Sequence, residues 1–112
     1  MPIMEISLFP LGTGNASVSE EVAESLAVLK RAKGVRYQIS SMATVVEAVS
    51  LRKLLAVAEQ MHRAMLRNGA RRVITTIKID DRTDKPLSAA AKVQSVLRRL
   101  EERRVVSKPR RQ

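Results

Sequence analysis

Two hydrophobic periods alternate along this chain, and their order limits the folds open to it. A period of two comes first. In Ile3 to Leu11 (IMEISLFPL), Met4, Ile6 and Leu8 share one side while Glu5 and Ser7 share the other, the pattern of a half-buried strand. Pro10 and the GTG turn at Gly12 to Gly14 close it. A helical period follows. Ser17 with Glu20 three residues later fits a capping box, in which each side chain satisfies a free backbone N–H. Val22, Leu26 and Leu29 then fall on one face. Lys30, Arg31 and Lys33 before Gly34 suit the negative end of the helix dipole and a left-handed C-terminal turn.

The period returns to two at Val35, Tyr37 and Ile39, which alternate with Arg36, Gln38 and Ser40. A third strand lies in SMATVVEAVS (residues 41–50), where Val45 and Val46 are β-branched and Thr44 suits a pleated surface. Ser50 is placed to cap a second helix with an apolar stripe through Leu51, Leu54, Leu55, Ala58, Met61 and Met65, and Asn68-Gly69 ends it. In a fourth strand Val73, Thr75, Ile77 and Ile79 make one face; Ile74, Thr76, Lys78 and Asp80 make the other. A third helix follows Pro86, capped by Ser88, with Val93, Val96, Leu97 and Leu100 expected to face inward.

The order is β-α-β-β-α-β and then an extra helix, which predicts an α+β fold. Two split βαβ halves make a ferredoxin-like sandwich, with both crossover helices on one face of an antiparallel sheet. The other face then holds Ile3, Glu5, Ser7 and Phe9 beside Ile74, Thr76, Lys78 and Asp80. It is too apolar to be idle and too polar to be a core, so it reads as a ligand surface or a subunit interface. At 112 residues there is room for one such domain and no second. The expected domain is 1–104, with 105–112 a basic tail that frays.

Composition then removes function classes. There is no cysteine and one histidine, which closes off disulfides, thiolate metal sites and most zinc sites. No apolar run approaches the roughly 20 residues that span a bilayer, and the N-terminus lacks a basic segment before its apolar residues, so a soluble, cytoplasmic protein without membrane partners is expected. The net charge of +10 suggests nucleic acid, but residues 98–112 hold seven of the 21 basic side chains and two of the 11 acidic ones. Half the excess is therefore terminal. Nucleic acid is an unlikely partner on this reading, and any contact should be weak and borne by the tail.

Specific chemistries fare no better. The RNA-recognition form of this fold stacks bases on aromatics, and the chain has only Phe9 and Tyr37. DDRTD (Asp80 to Asp84) clusters three carboxylates where magnesium could sit, but Arg82 and Lys85 are at hand to pair with them. His62, between Met61 and Met65, reads as a packed, hydrogen-bonded histidine. GTG lacks the GK[ST] of a phosphate loop, and no nucleophile–base pair is visible. The chain is not expected to be an enzyme or to carry a cofactor or metal.

Three stretches, in order, carry a resemblance: ISLFPLGTGNASVS, then YQISSMATVVEA, then RRVITTIKIDDRTDK. Together they resemble the signature blocks of the small YkoF-like thiamine-binding proteins, across roughly residues 3–97. That resemblance implies a ferredoxin-like protein, a homotetramer built as a dimer of dimers through its sheets, and binding of thiamine or its hydroxymethylpyrimidine portion. Ala43 and Ala48 stand where the family typically has glycine, and a methyl group at either place narrows a pocket that needs close backbone approach.

Thiamine joins a flat aminopyrimidine to a cationic thiazolium, so a site needs an apolar slot and a few placed polar groups. In a +10 chain a local carboxylate would reverse the field, and Glu47 between Val46 and Ala48 is the candidate; its other reading is an interface salt bridge. Thr44 and Thr76 offer hydroxyls, Met42 an adaptable wall, and Thr13, Asn15 and Ser17 polar groups at the first turn. The competing reading is a structural or regulatory homo-oligomer without a small ligand.

Overall fold

The computed structural model describes the backbone of residues 1–12, 14 and 16–107 and the side chains among them through Arg103; Thr13, Asn15 and residues 108–112 lie outside the described residues. Its elements are β1 (Ile3–Leu11), α1 (Ser19–Arg31), β2 (Val35–Ile39), β3 (Thr44–Ala48), α2 (Leu51–Arg67), β4 (Arg72–Asp80) and α3 (Ala89–Ser107). The strands form one antiparallel sheet in the order β2-β3-β1-β4. This is the ferredoxin-like α+β sandwich with an added C-terminal helix.

The core lies between one sheet face and the helix pair. Met4 and Ile6 of β1 and Val46 and Ala48 of β3 meet Val28 and Leu29 of α1 and Leu54, Val57, Ala58, Met61 and Ala64 of α2. The period of two in β1 and β3 thus sets which residues face the helices. On α2 the buried face includes Leu54, Ala58, Met61 and Met65 as the spacing predicts, but also Val57 and Ala64. Leu51 and Leu55 remain 42% and 48% exposed. The stripe is rotated because the helix packs on both β1 and β3 and presents its 54-57-58-61 face to them.

Capping differs between the helices. At α2, Ser50 accepts from the Lys53 N–H at 3.1 Å, and Gly69 takes the positive φ of 102° that the turn after Asn68 requires. At α1 the expected capping box is absent. The helix starts at Ser19 with Val18 in the cap position and no side-chain cap bond, so Ser17 falls one residue too early. Its hydroxyl lies 3.3 Å from that of Ser19. Glu20 and Glu21 in the first turn complement the dipole instead.

The inward orientation expected for the α3 stripe is corrected by the structure. Val93, Val96, Leu97 and Leu100 are 57%, 57%, 49% and 55% exposed. The helix-bearing face is already filled by α1 and α2, which leaves α3 the opposite face, and it engages that face through its start alone. The Met1 amino group donates to the Leu87 carbonyl at 3.1 Å, Glu47 accepts from the Ala89 N–H, and Lys92 pairs with Asp80. The rest of α3 extends past the body: the radius of gyration is 17.9 Å, against roughly 13 Å for a compact chain near this length.

Candidate functional site

β1 has nine residues and β3 has five, and that mismatch makes the site. Pairing of β1 with β3 ends at Ile6↔Thr44, whereas pairing with β4 continues to Leu11↔Arg72. From Ser7 onward the β3-side flank of β1 is unpaired, and alternate residues turn N–H and C=O groups toward that gap. The first half of α1 and the corner between β2 and β3 wall it off. The resulting cavity is about 310 Å³ and is lined by β1, by Val18, Val22, Ser25 and Leu26 of the α1 region, by residues 39–44 and by Met65.

Local bonding fixes these walls. At the corner, the Ser40 N–H and hydroxyl both donate to the Ala43 carbonyl, at 3.0 and 2.6 Å. This tight turn holds Met42 at the rim, 86% exposed. Ser25, buried, donates to the Val22 carbonyl at 2.8 Å. Ser7, Ser25, Ser40, Ser41 and Thr44 line the cavity together with apolar residues, and no charged residue does so among the described residues. Chemically this is an uncharged slot with several hydroxyls and a free strand flank.

The residues singled out from the sequence divide into three groups. Met42 and Thr44 line the cavity together, and Ser17 sits beside the lining residue Val18. Thr13 and Asn15 lie outside the described residues. Glu47 and Thr76 are on the far face of the sheet. Thr76, exposed, stands opposite Ser7 in register. Glu47 stands between Ile3 and Arg36, is only 9% exposed, and accepts from the Ala89 backbone N–H at 3.1 Å. Its carboxylate is engaged in starting α3, across the sheet from the cavity.

Ser7, Ser25 and Ser40 were not singled out as cavity residues from the sequence, whereas Ala43 was. The difference in length between β1 and β3 was the available signal, because a strand that outruns its neighbour exposes a flank. Ala43 lines the cavity, while Ala48 is fully buried in the core.

Arg82, Asp84, Asp80 and His62 have partners of their own. Arg82 forks onto both Asp84 oxygens at 2.5 and 2.9 Å, which holds the Asp84 carboxyl below its ordinary value and raises Arg82. Lys92 takes Asp80 at 2.5 Å. His62 Nδ1 lies 2.6 Å from the Thr75 hydroxyl, half-buried between α2 and β4. Among the described residues no three His, Asp or Glu side chains gather as a metal would require, and no helix is long and apolar enough to cross a membrane.

Residues 4–97 match the family model described as thiamine-binding protein, a span that contains all of the sheet but Ile3 and both packed helices. The chain belongs to the thiamine-binding protein family. Other members are close in sequence and length. It is 44% identical over 92 residues to a UPF0045 protein of Methanothermobacter thermautotrophicus, covering 82% of this chain and 92% of that one. It is 38% identical over 104 residues to the UPF0045 protein YqgV of Bacillus subtilis, covering 90% and 99%. The crystal structure of a hypothetical protein from Methanocaldococcus jannaschii superimposes with a TM-score of 0.77 at 33% identity, over 85% of this chain and 94% of that one. The family match therefore extends over the whole frame of the cavity.

Proposed function

We propose that this family member binds thiamine, or its hydroxymethylpyrimidine portion, reversibly and without turnover. The observation that carries this reading is the open β1 flank beside Ser40 and Thr44 in a cavity of about 310 Å³. That volume is at the lower end of the range for small-molecule sites, roughly 300 to 1,000 Å³. An aminopyrimidine carries a donor and ring acceptors in one plane, and a strand flank alternates the complementary groups along one line. Because the lining is uncharged, the pyrimidine takes the slot and the cationic thiazolium stays toward the rim, near Met42 and Ser17. Glu47 serves α3 in this arrangement.

The protein works as a homotetramer in this reading, with the second sheet face and α3 as the contact surfaces. Phe9 and Ile74, cross-strand neighbours there, are 56% and 48% exposed in the single chain.

Calorimetric titration with thiamine, hydroxymethylpyrimidine and the isolated hydroxyethylthiazole tests the assignment. Thiamine and the pyrimidine should bind, and the thiazole should not. If none of the three binds, the protein is an oligomer without this ligand; if the thiazole alone binds, the orientation is reversed.

A further inference from the structure

The helix side of the molecule carries a second feature, which shares no lining residue with the cavity at the β1 flank and is independent of the thiamine reading. A trough of about 440 Å³ runs along α1 and α2, and its polar lining is Arg31, Lys33, Lys53, Gln60 and Arg67. No carboxylate lines it. The ion pairs among the described residues are Arg63–Glu59, Arg82–Asp84 and Lys92–Asp80, so none of these four cations is in an ion pair among them. Arg31, Lys33 and Arg67 are exposed and Lys53 is half-buried.

Their spacing is regular. Positions 53, 60 and 67 are seven apart on α2, which keeps them on one helix face with a drift of about 20° per step. At 1.5 Å per residue, Lys53 and Arg67 stand about 21 Å apart along the axis. Arg31 and Lys33 come from the end of α1 and the turn after it. Four cations with no carboxylate among them make the trough locally positive, and an external anion is drawn to it. One phosphate cannot touch both Lys53 and Arg67 across that span. A nucleic-acid strand, with a phosphate about every 3.4 Å of duplex axis, can.

We propose that this trough binds the sugar–phosphate backbone of nucleic acid without regard to sequence. No aromatic lines it, so base stacking contributes nothing and phosphate contacts carry the affinity. With four contacts, log K should fall with log salt at a slope of roughly −3. This places the binding on the folded body, whereas the distribution of charge along the sequence pointed to the tail.

The test is fluorescence anisotropy on the full chain, with a labelled single strand and a labelled duplex of mixed sequence, over a range of salt. Lys33→Gln, Lys53→Gln and Arg67→Gln combined should weaken binding to whichever form is bound by at least about tenfold and flatten the salt slope by roughly two. The charge-keeping set Lys33→Arg, Lys53→Arg and Arg67→Lys should bind like wild type. Arg110→Gln with Arg111→Gln, in the tail, should retain most of the affinity. The proposal is overturned if wild type binds neither form, if the glutamine set binds like wild type, or if only the tail variant loses affinity. Competition by polyglutamate as effective as that by nucleic acid would also overturn it, in favour of an acidic protein partner. Unchanged melting of each variant shows that folding is not what the assay reads.

Discussion

The Glu47 carboxylate accepts a hydrogen bond from the backbone N–H of Ala89, 42 residues further along, at 3.1 Å. It does from a strand what a capping side chain does from the helix itself, since Ala89 opens α3 and its N–H has no partner within the helix. Ser88 meets a second such group by accepting from the Ala91 N–H at 3.0 Å. A negative charge at this end also complements the helix dipole.

Replacing Glu47 should therefore act on α3. Glu47→Ala leaves a part-buried N–H without its acceptor, a loss of up to about 1–3 kcal/mol. Glu47→Gln keeps an acceptor but not the charge, and charge-assisted bonds are about twice as strong as neutral ones, so its effect should be smaller. Hydrogen exchange should show the first turn of α3 less protected in both variants, in the order Ala then Gln. Thiamine affinity should stay within about twofold, because the cavity lies across the sheet; a tenfold loss with α3 intact would return Glu47 to the ligand site.

The cavity itself is probed at Thr44, the buried threonine where β1 and β3 part. Thr44→Val keeps the shape and removes the hydroxyl. A ligand group left unpaired there should cost about 1–3 kcal/mol of affinity, roughly tenfold or more. For wild type, ligand at 100 times its dissociation constant adds about 2.7 kcal/mol to stability, and each kcal/mol is worth roughly 4–8 °C in a domain of this size. Differential scanning fluorimetry should show that shift in wild type and a reduced one in Thr44→Val.

The fold was legible because β1, β3 and α2 bury residues at the period their sequences display, and because Ser50 and Gly69 mark both ends of α2. The site was legible in part. Met42 and Thr44 belong to the β2–β3 corner, which local composition identifies. Ser7 and Ser25 belong to it only because β3 stops short of Ser7 and α1 packs over the gap, and neither fact is local in sequence. Glu47 was legible as an anomaly, a carboxylate in a strand, but its partner is a backbone N–H, which no side-chain pattern announces. The α3 stripe was misread for a related reason: spacing shows that residues share a face, and not whether the molecule has a face left to receive it.

The acidic run after β4 should not respond to metal. Arg82 holds both Asp84 oxygens and Lys92 holds Asp80, so two of the three carboxylates are already paired. Millimolar magnesium should leave melting unchanged, and no phosphatase or nucleotide hydrolysis should appear; activity abolished by Asp80→Asn would reverse this. The pH sign is fixed by the depressed Asp84 carboxyl: its contribution is present above the ordinary carboxylate range and is lost as pH falls through its lowered value. The pair is fully exposed, so screening leaves it little weight, and Asp84→Asn should melt like wild type between pH 5 and 8.

Assembly gives the last prediction. Val93, Val96, Leu97 and Leu100 are spaced as one helical stripe, each about half exposed or more, and the sheet face that α3 barely covers leaves Phe9 and Ile74 in water. Apolar area in water is worth roughly 25 cal/mol per Å² once buried, so contact between copies has a ready source of free energy. Most soluble oligomers are symmetric, and a face that is both sheet and helix suits paired dimers. Light scattering at micromolar concentration should give four times the 12.5 kDa protomer mass. Leu97→Glu with Val96→Glu should lower that mass while leaving the circular dichroism of the sandwich intact, because neither side chain is buried within its own chain. Phe9→Glu should act at the sheet contact and, combined with the α3 pair, should leave monomers. A wild-type protein that runs at the protomer mass would show that these surfaces stay in water, and the oligomer would have to be abandoned.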